Sequence, residues 1–218
     1  MPRDINITTI IFDFGCVLSF PPQPSDYRRL ANLAGIDGDS FDNSYWQART
    51  DYDRGSIDGP AYWRRIAAAA GRQFTPRQIA GLIQADIGIW MHTNPVMMEW
   101  VRALKGRGLK AAVLSNMPTE ISRHMRQFAP WLEDFDYVCF SAEVQLAKPE
   151  APIFRVCLEA LRSKPEECLF IDDREENVDA ARALGLHALR FVSVPQLAAQ
   201  VRPFNLPPPV ESREGITP

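Results

Sequence analysis

The sequence predicts an α/β protein: a Rossmann-like parallel sheet with helices on both faces, into which an all-helical segment is inserted. Three observations carry that prediction. Ile7 to Phe12 is a mostly β-branched and aromatic run, the length of one buried strand, and it ends on Asp13 with Gly15 close behind. Beyond Asn94-Pro95, strand-like and helix-like stretches alternate as far as Phe191, the pattern of a parallel sheet built from crossover units. Between the two, residues 19–91 show helical periodicity and no convincing strand.

Taken in order, the first strand gives way to Ser19-Phe20-Pro21-Pro22-Gln23-Pro24, where prolines remove the ladder donors and a hinge is expected. A helix follows over 26–34. A second runs from Ser40 to Arg54 and stops at Gly55, a residue suited to a left-handed terminus. A third begins after Asp58-Gly59-Pro60, and a fourth at Thr75-Pro76-Arg77-Gln78, which has capping-box spacing. In the alternating part, helix 96–105 leads to strand 110–114, helix 118–128 to strand 136–140, helix 150–161 to strand 168–171, and helix 175–184 to a short strand 187–191. The expected organisation is a core of residues 1–18 and 92–201, a helical cap of residues 19–91, and a proline-rich, extended tail over 202–218.

Composition narrows the class. With 46% hydrophobic and 23% charged residues, the 218-residue chain is ordinary globular material. A net charge of −3 offers no basic stripe for nucleic acid. Asp13 interrupts the best apolar run, so no membrane span is expected, and Met1-Pro2-Arg3-Asp4 has no signal-peptide core. Cys16, Cys139, Cys157 and Cys168 form no C-x-x-C pair and read as small buried hydrophobes, which suits a reducing cytoplasm.

The chemistry concentrates at strand ends. In an open parallel sheet these share one edge, outside which ligands bind. The first strand delivers Asp13, the next Ser115-Asn116, and the loop after the third leads to Lys148-Pro149. The fourth delivers Asp172-Asp173, with Asn177 one turn into the following helix. Each alone has a plain structural explanation, as a turn former or helix cap; four on one edge point to a site. Asp13, Asp172 and Asp173 offer hard oxygens that suit magnesium. Ser115, Asn116 and Lys148 offer donors for a tetrahedral oxyanion.

These residues, in this order, resemble the haloacid dehalogenase superfamily of hydrolases. Phe12-Asp13-Phe14-Gly15-Cys16-Val17-Leu18 is similar to its first motif, Leu114-Ser115-Asn116 to its second, Lys148-Pro149-Glu150 to its third, and Phe170-Ile171-Asp172-Asp173-Arg174-Glu175-Glu176-Asn177 to its fourth. The resemblance is strongest to the branch containing the phosphatase half of soluble epoxide hydrolase and bacterial sugar-phosphate phosphatases. It implies that Asp13 is a nucleophile, that Ser115, Asn116 and Lys148 hold a phosphoryl group, and that Asp173 binds Mg2+ with Asp13, Asp172 and the Gly15 carbonyl. It also implies a cap that sets specificity. Gly15 is a departure, because most phosphatases of the superfamily carry there an aspartate that protonates the leaving oxygen; general acid catalysis of that kind contributes about 10²–10⁴-fold.

The expected function is magnesium-dependent hydrolysis of a small phosphorylated metabolite, such as a sugar phosphate, through an aspartyl-phosphate on Asp13. The alternatives are a 2-haloacid dehalogenase and a non-catalytic phospho-ligand-binding relative. A phosphomutase is disfavoured by Gly15, and a dehalogenase by the paired acids. Within the cap, Tyr45, Trp46, Arg49, Tyr52, Asp53 and Arg54 form the most function-like patch, with Arg49 the candidate substrate contact. Trp63 and Trp90 read as cap core, and His92, His124 and His187 have no relay spacing. No nucleic-acid or membrane partner is expected, and the chain is taken as a cytoplasmic monomer or homodimer.

Overall fold

A computed structural model describes residues 6–210. Five strands, β1 (Thr9–Phe12), β2 (Lys110–Ser115), β3 (Tyr137–Phe140), β4 (Cys168–Asp172) and β5 (His187–Arg190), form one sheet in the order β3-β2-β1-β4-β5. All four pairings are parallel. Phe12 lies beside Val113 on one side and Ile171 on the other, so the central strands end nearly level.

Alternation along the strands feeds two hydrophobic layers. Ile10, Phe12, Val113, Leu169 and Ile171 pack with α6 (Pro95–Lys105), α7 (Thr119–Phe128) and α11 (Val194–Gln200). Ile11, Ala112, Leu114 and Phe170 pack with α9 (Ala151–Leu161) and α10 (Glu175–Ala183). Both faces are covered, which is why the strands read as unbroken apolar runs. The fold is the one the alternation predicts.

The inserted residues form α1 (Pro24–Ala34), α2 (Gly38–Gln47), α3 (Arg49–Asp53), α4 (Gly59–Ala69) and α5 (Pro76–Trp90). They pack around a separate, aromatic-rich core that includes Phe41, Tyr45, Tyr52, Tyr62, Trp63 and Leu82. At the start of α5 the capping box is formed: Gln78 N–H donates to Thr75 Oγ1 and Thr75 N–H to Gln78 Oε1. The helix expected over 40–54 is instead two, broken at Ala48. No glycine or proline marks the break. It is tertiary in origin: α3 lies on α8 (Ser141–Val144), a short helix in a stretch read as loop, and Ser141 Oγ donates to the Asp53 carbonyl.

The two connections to the insertion are tied to each other. Ser19 and Thr93 form an antiparallel bridge, flanked by Phe20 N–H to His92 O at 2.7 Å and Asn94 N–H to Leu18 O at 2.8 Å. On the far side the insertion touches the sheet domain through an Arg54–Glu150 ion pair and through Gly59 N–H to Glu120 Oε1 at 2.7 Å. Gly55, at φ 78°, lies so near Ala142 that a Cβ would be 2.9 Å from the Ala142 carbonyl oxygen.

At the other end, the proline-rich segment is less extended than expected. Arg202–Phe204 is a helical turn, Leu206 is buried, and Trp100 Nε1–H donates to Pro207 O at 2.6 Å, so these residues cover the first layer. Residues 211–218 of the expected tail lie outside the described residues. Among the described residues no helix is long and apolar enough to cross a membrane.

Candidate active site

The connection after β1 leads toward β2, whereas the one after β4 leads toward β5, on the opposite side. A crevice therefore opens between the ends of β1 and β4, the switch point where ligands bind in such sheets. Asp13 and Asp173 line it, with Ser115, Asn116, Lys148 and Asn177.

Asp13 ends β1 in extended conformation (φ −67°, ψ 155°), and its Oδ1 accepts from the Phe14 N–H at 2.7 Å. Lys148 Nζ stands 2.9 Å from the same Oδ1 and 2.6 Å from Asp172 Oδ2, with all three residues buried. Asp172 is fully committed to the protein. Its Oδ1 also accepts from Arg174 N–H at 2.9 Å, and Asn177 Nδ2 reaches both oxygens at 3.0 and 3.1 Å. The loop carrying Lys148 is fixed by Asn116, whose Nδ2 donates to Lys148 O at 2.9 Å while its Oδ1 accepts from Lys148 N–H at 2.8 Å. One amide hydrogen of Asn116 remains for a ligand.

Charge in the crevice is unbalanced. Each of Asp13, Asp172 and Asp173 offers a carboxylate oxygen within 4.8 Å of the others, and one ammonium, Lys148, bridges two of them. Burial pushes Asp13 up to about 7; Lys148 pulls it down, and Asp172 and Asp173 push it up. Burial and then Asp172 raise Asp173 as well. Burial works against the Lys148 ammonium, but Asp13 and Asp172 outweigh it and hold its pKa above the ordinary value. Surplus carboxylate oxygen, with half-buried Asp173 free of the ties that bind Asp172, fits a hard divalent cation.

The chain turns sharply after Asp13, in one wide turn over Phe14–Leu18 closed by Ser19 N–H to Phe14 O at 2.9 Å. Gly15 has φ −60° and ψ 128°, which any residue adopts. The left-handed residue is Cys16 (φ 59°), whose N–H donates to Ser19 Oγ at 3.3 Å.

The inserted helices supply the roof, with Trp46, Arg49, Asp53 and Trp90 lining the same cleft. Arg49 is buried. Its Nε donates to Asp53 Oδ1 at 2.7 Å, and its Nη1 lies 2.5 Å from the Tyr45 hydroxyl and 3.2 Å from Asp86 Oδ2. Burial pushes Asp53 up to about 6 against the pull of Arg49. Trp90 packs against the insertion's core as expected and also faces the cleft, where a Cβ on Gly15 would meet its Cζ3 at 3.6 Å. Trp63 is interior as expected, fully buried in the insertion's own core. Arg54 pairs across to Glu150 rather than with its neighbours Asp51 and Asp53.

This arrangement matches the family model for haloacid dehalogenase-like hydrolases over residues 7–185. The chain belongs to that family. Among curated relatives, a sesquiterpene phosphatase of Aspergillus oryzae is 26% identical over 182 residues, covering 83% of this chain and 88% of that protein. Mouse acyl-CoA dehydrogenase family member 10 is 32% identical over 110 residues, 49% of this chain and 10% of that protein. Mouse bifunctional epoxide hydrolase 2 is 29% identical over 208 residues, 80% of this chain and 34% of that protein. The chain thus spans a small part of the last two. Among solved structures, a family enzyme of Bacteroides thetaiotaomicron in its magnesium complex superposes with TM-score 0.72 at 21% identity, covering 90% of this chain and 99% of that one. An L-2-haloacid dehalogenase of Xanthobacter autotrophicus superposes with TM-score 0.66 at 20% identity, covering 97% and 92%. The same fold is therefore found in a family enzyme that holds magnesium and in an L-2-haloacid dehalogenase.

Proposed function

We propose that this hydrolase is a magnesium-dependent phosphatase of a small phosphorylated metabolite, with Asp13 as nucleophile and residues 19–91 as the cap over its site. The carrying observation is the surplus of carboxylate: Asp13, Asp172 and the half-buried Asp173 lie together, and one ammonium bridges only the first two, a donor set that suits a divalent cation and is superfluous for dehalogenation. Asp13 and Asp173 would hold the ion with the Gly15 carbonyl, while Asp172 contributes charge from behind and orients Lys148. When bound, magnesium supplies positive charge against the phosphoryl oxygens.

Phe14 N–H and Lys148 Nζ both fall on Asp13 Oδ1, which leaves Oδ2 to attack phosphorus. The bond from phosphorus to the alcohol oxygen breaks, and that oxygen leaves with the bonding pair and takes a proton from water. A second water then cleaves the aspartyl-phosphate, returning Asp13 and inorganic phosphate. Ser115, the free amide hydrogen of Asn116 and Lys148 hold the phosphoryl oxygens throughout. Arg49, with its Nε and Nη1 engaged inside the cap, anchors the roof above the substrate. Three fully buried cysteines and the fourth, Cys16, half-buried fit residence in a reducing cytoplasm.

The test is release of inorganic phosphate from acetyl phosphate and from a panel of phosphorylated metabolites, with magnesium and with chelator, beside chloride release from 2-chloropropionate. Phosphate release that chelation abolishes supports the reading. Chloride release that survives chelation sinks it in favour of the dehalogenase, and ligand binding without turnover in favour of a non-catalytic relative.

A further inference from the structure

Resting on the phosphatase reading, we propose that the cap selects phosphate esters whose alcohol is a compact apolar body, seated against Trp90 and running out past Trp46. The wall beside the nucleophile is aromatic. Where a side chain at residue 15 would begin, its Cβ would already be in van der Waals contact with Trp90 Cζ3 at 3.6 Å. The indole is held from behind, its Nε1–H donating to the Tyr45 hydroxyl at 3.3 Å and the Arg49 guanidinium lying 5.5 Å from its ring. With that N–H used inside the cap, Trp90 offers the cleft only hydrocarbon.

Met117 and Ile121 line the same cleft from the sheet domain, so the leaving group would lie between apolar walls. Trp46 also lines it, yet is 49% exposed, packed at its edge by Tyr27 and Tyr45. Large aromatic surface left open beside a reaction centre is a binding surface for apolar matter. Much of the roof's polar capacity is spent inside the cap, on Arg49 Nε and Nη1 and on Asp53 Oδ1. Arg49 is neutralised by Asp53 and Asp86 at 2.7 and 3.2 Å, and the Asp53 carboxylate disfavours a second anionic group. The cavity measures about 150 Å³, which admits one ring or a short branched chain and sends anything longer toward Trp46.

Benzyl phosphate, ethyl phosphate and glucose 6-phosphate are all esters of primary alcohols, so comparing them separates cap preference from leaving-group acidity. With the magnesium-loaded protein, kcat/KM for benzyl phosphate is expected to exceed the other two by at least tenfold, about 1.4 kcal/mol, expressed mainly in KM. Trp90→Leu and, separately, the surface variant Trp46→Ala should cut the benzyl-to-ethyl ratio to threefold or less. Benzylphosphonate should bind at least tenfold tighter than ethylphosphonate by calorimetry, a readout that needs no turnover. Equal binding of the two phosphonates, preference for glucose 6-phosphate, or an unchanged ratio in both variants overturns the proposal. Absence of turnover on every ester and on acetyl phosphate instead defeats the phosphatase reading, while the phosphonate comparison still judges the aromatic wall.

Discussion

Replacing Lys148 with methionine keeps most of the side-chain stem and removes an ammonium 2.9 Å from Asp13 Oδ1 and 2.6 Å from Asp172 Oδ2. Lys148 is 4% exposed and Asp172 is 0% exposed, so water from the cleft cannot replace the lost partner at Asp172. Removing one member of a buried ion pair costs about 3–5 kcal/mol, and here two carboxylates lose the same cation. Part of that is recovered by proton uptake. Lys148 is the chief group pulling the Asp13 pKa down, and it already stands at about 7, so in the variant Asp13 is protonated at neutral pH. A carboxyl whose folded pKa is raised loses stability as pH rises through that pKa; the deficit of the variant should therefore be largest near pH 8 and shrink toward pH 5. Urea unfolding in chelator, followed by circular dichroism, should give a loss of about 3 kcal/mol at pH 8. Adding Asp172→Asn to the variant should cost less than it does in the wild type, with a coupling of about 1.5 kcal/mol or more. A loss below about 1 kcal/mol, or strict additivity of the two substitutions, would refute the picture of a buried bridging ammonium.

Asp13→Asn should abolish phosphate release while leaving the unfolding midpoint near or above that of the wild type, since it discharges a carboxylate whose pKa burial has raised; retained turnover would remove Asp13 as nucleophile. Asp173→Ala should reproduce the effect of chelation on phosphate release, and its calorimetric titration with magnesium should show binding weakened at least tenfold. Gly15→Asp should fold, because the backbone at φ −60°, ψ 128° accepts any residue and the new Cβ would sit 3.6 Å from Trp90. It should raise turnover of alkyl phosphates more than of aryl phosphates, and a tenfold gain would match about 1.4 kcal/mol of barrier. Asp53, with its pKa moved from 3.8 to about 6, favours folding below pH 3.8 and loses that contribution by pH 6. Asp53→Asn should flatten the stability profile across that window by an amount on the order of 3 kcal/mol, measured by denaturant unfolding at each pH.

The sheet and the crevice were legible in the sequence because both depend on local signals. Unbroken apolar runs mark strands covered on both faces, and each site carboxylate follows directly on the end of its run. The division of labour between Asp172 and Asp173 was not legible. The two are adjacent, yet Asp172 is bound by Lys148, Asn177 and Arg174 while Asp173 lines the cleft, a difference set by contacts up to 24 residues away in sequence. Trp90 packs against the insertion's core as its sequence context suggests, but its second face, on the cleft, is not legible for the same reason. It ends a helix that packs against the aromatic core of the insertion, and only the path of the chain at Gly15 brings its ring to the cleft. Arg49 stands out in sequence as an arginine in an aromatic patch, with Asp53 at helical spacing, but its second partner Asp86 lies 37 residues on, beyond any helical spacing. The turn around residues 202–204 escaped notice because its prolines suggest an extended chain, whereas Leu206 and the bond from Trp100 to Pro207 hold it on the core.

The close approach of Gly55 to Ala142 gives this molecule a doorstop. Main chain meets main chain there, at a residue whose φ of 78° other side chains rarely adopt, and one methyl group would wedge the two lobes apart at the edge opposite the paired strands of Ser19 and Thr93. Since the lobes have separate cores, a wedge of that kind would change how far the roof comes down without disturbing the packing of either lobe. The depth to which the aromatic wall descends on a bound ester can thus be adjusted at a position that touches neither ester nor carboxylates.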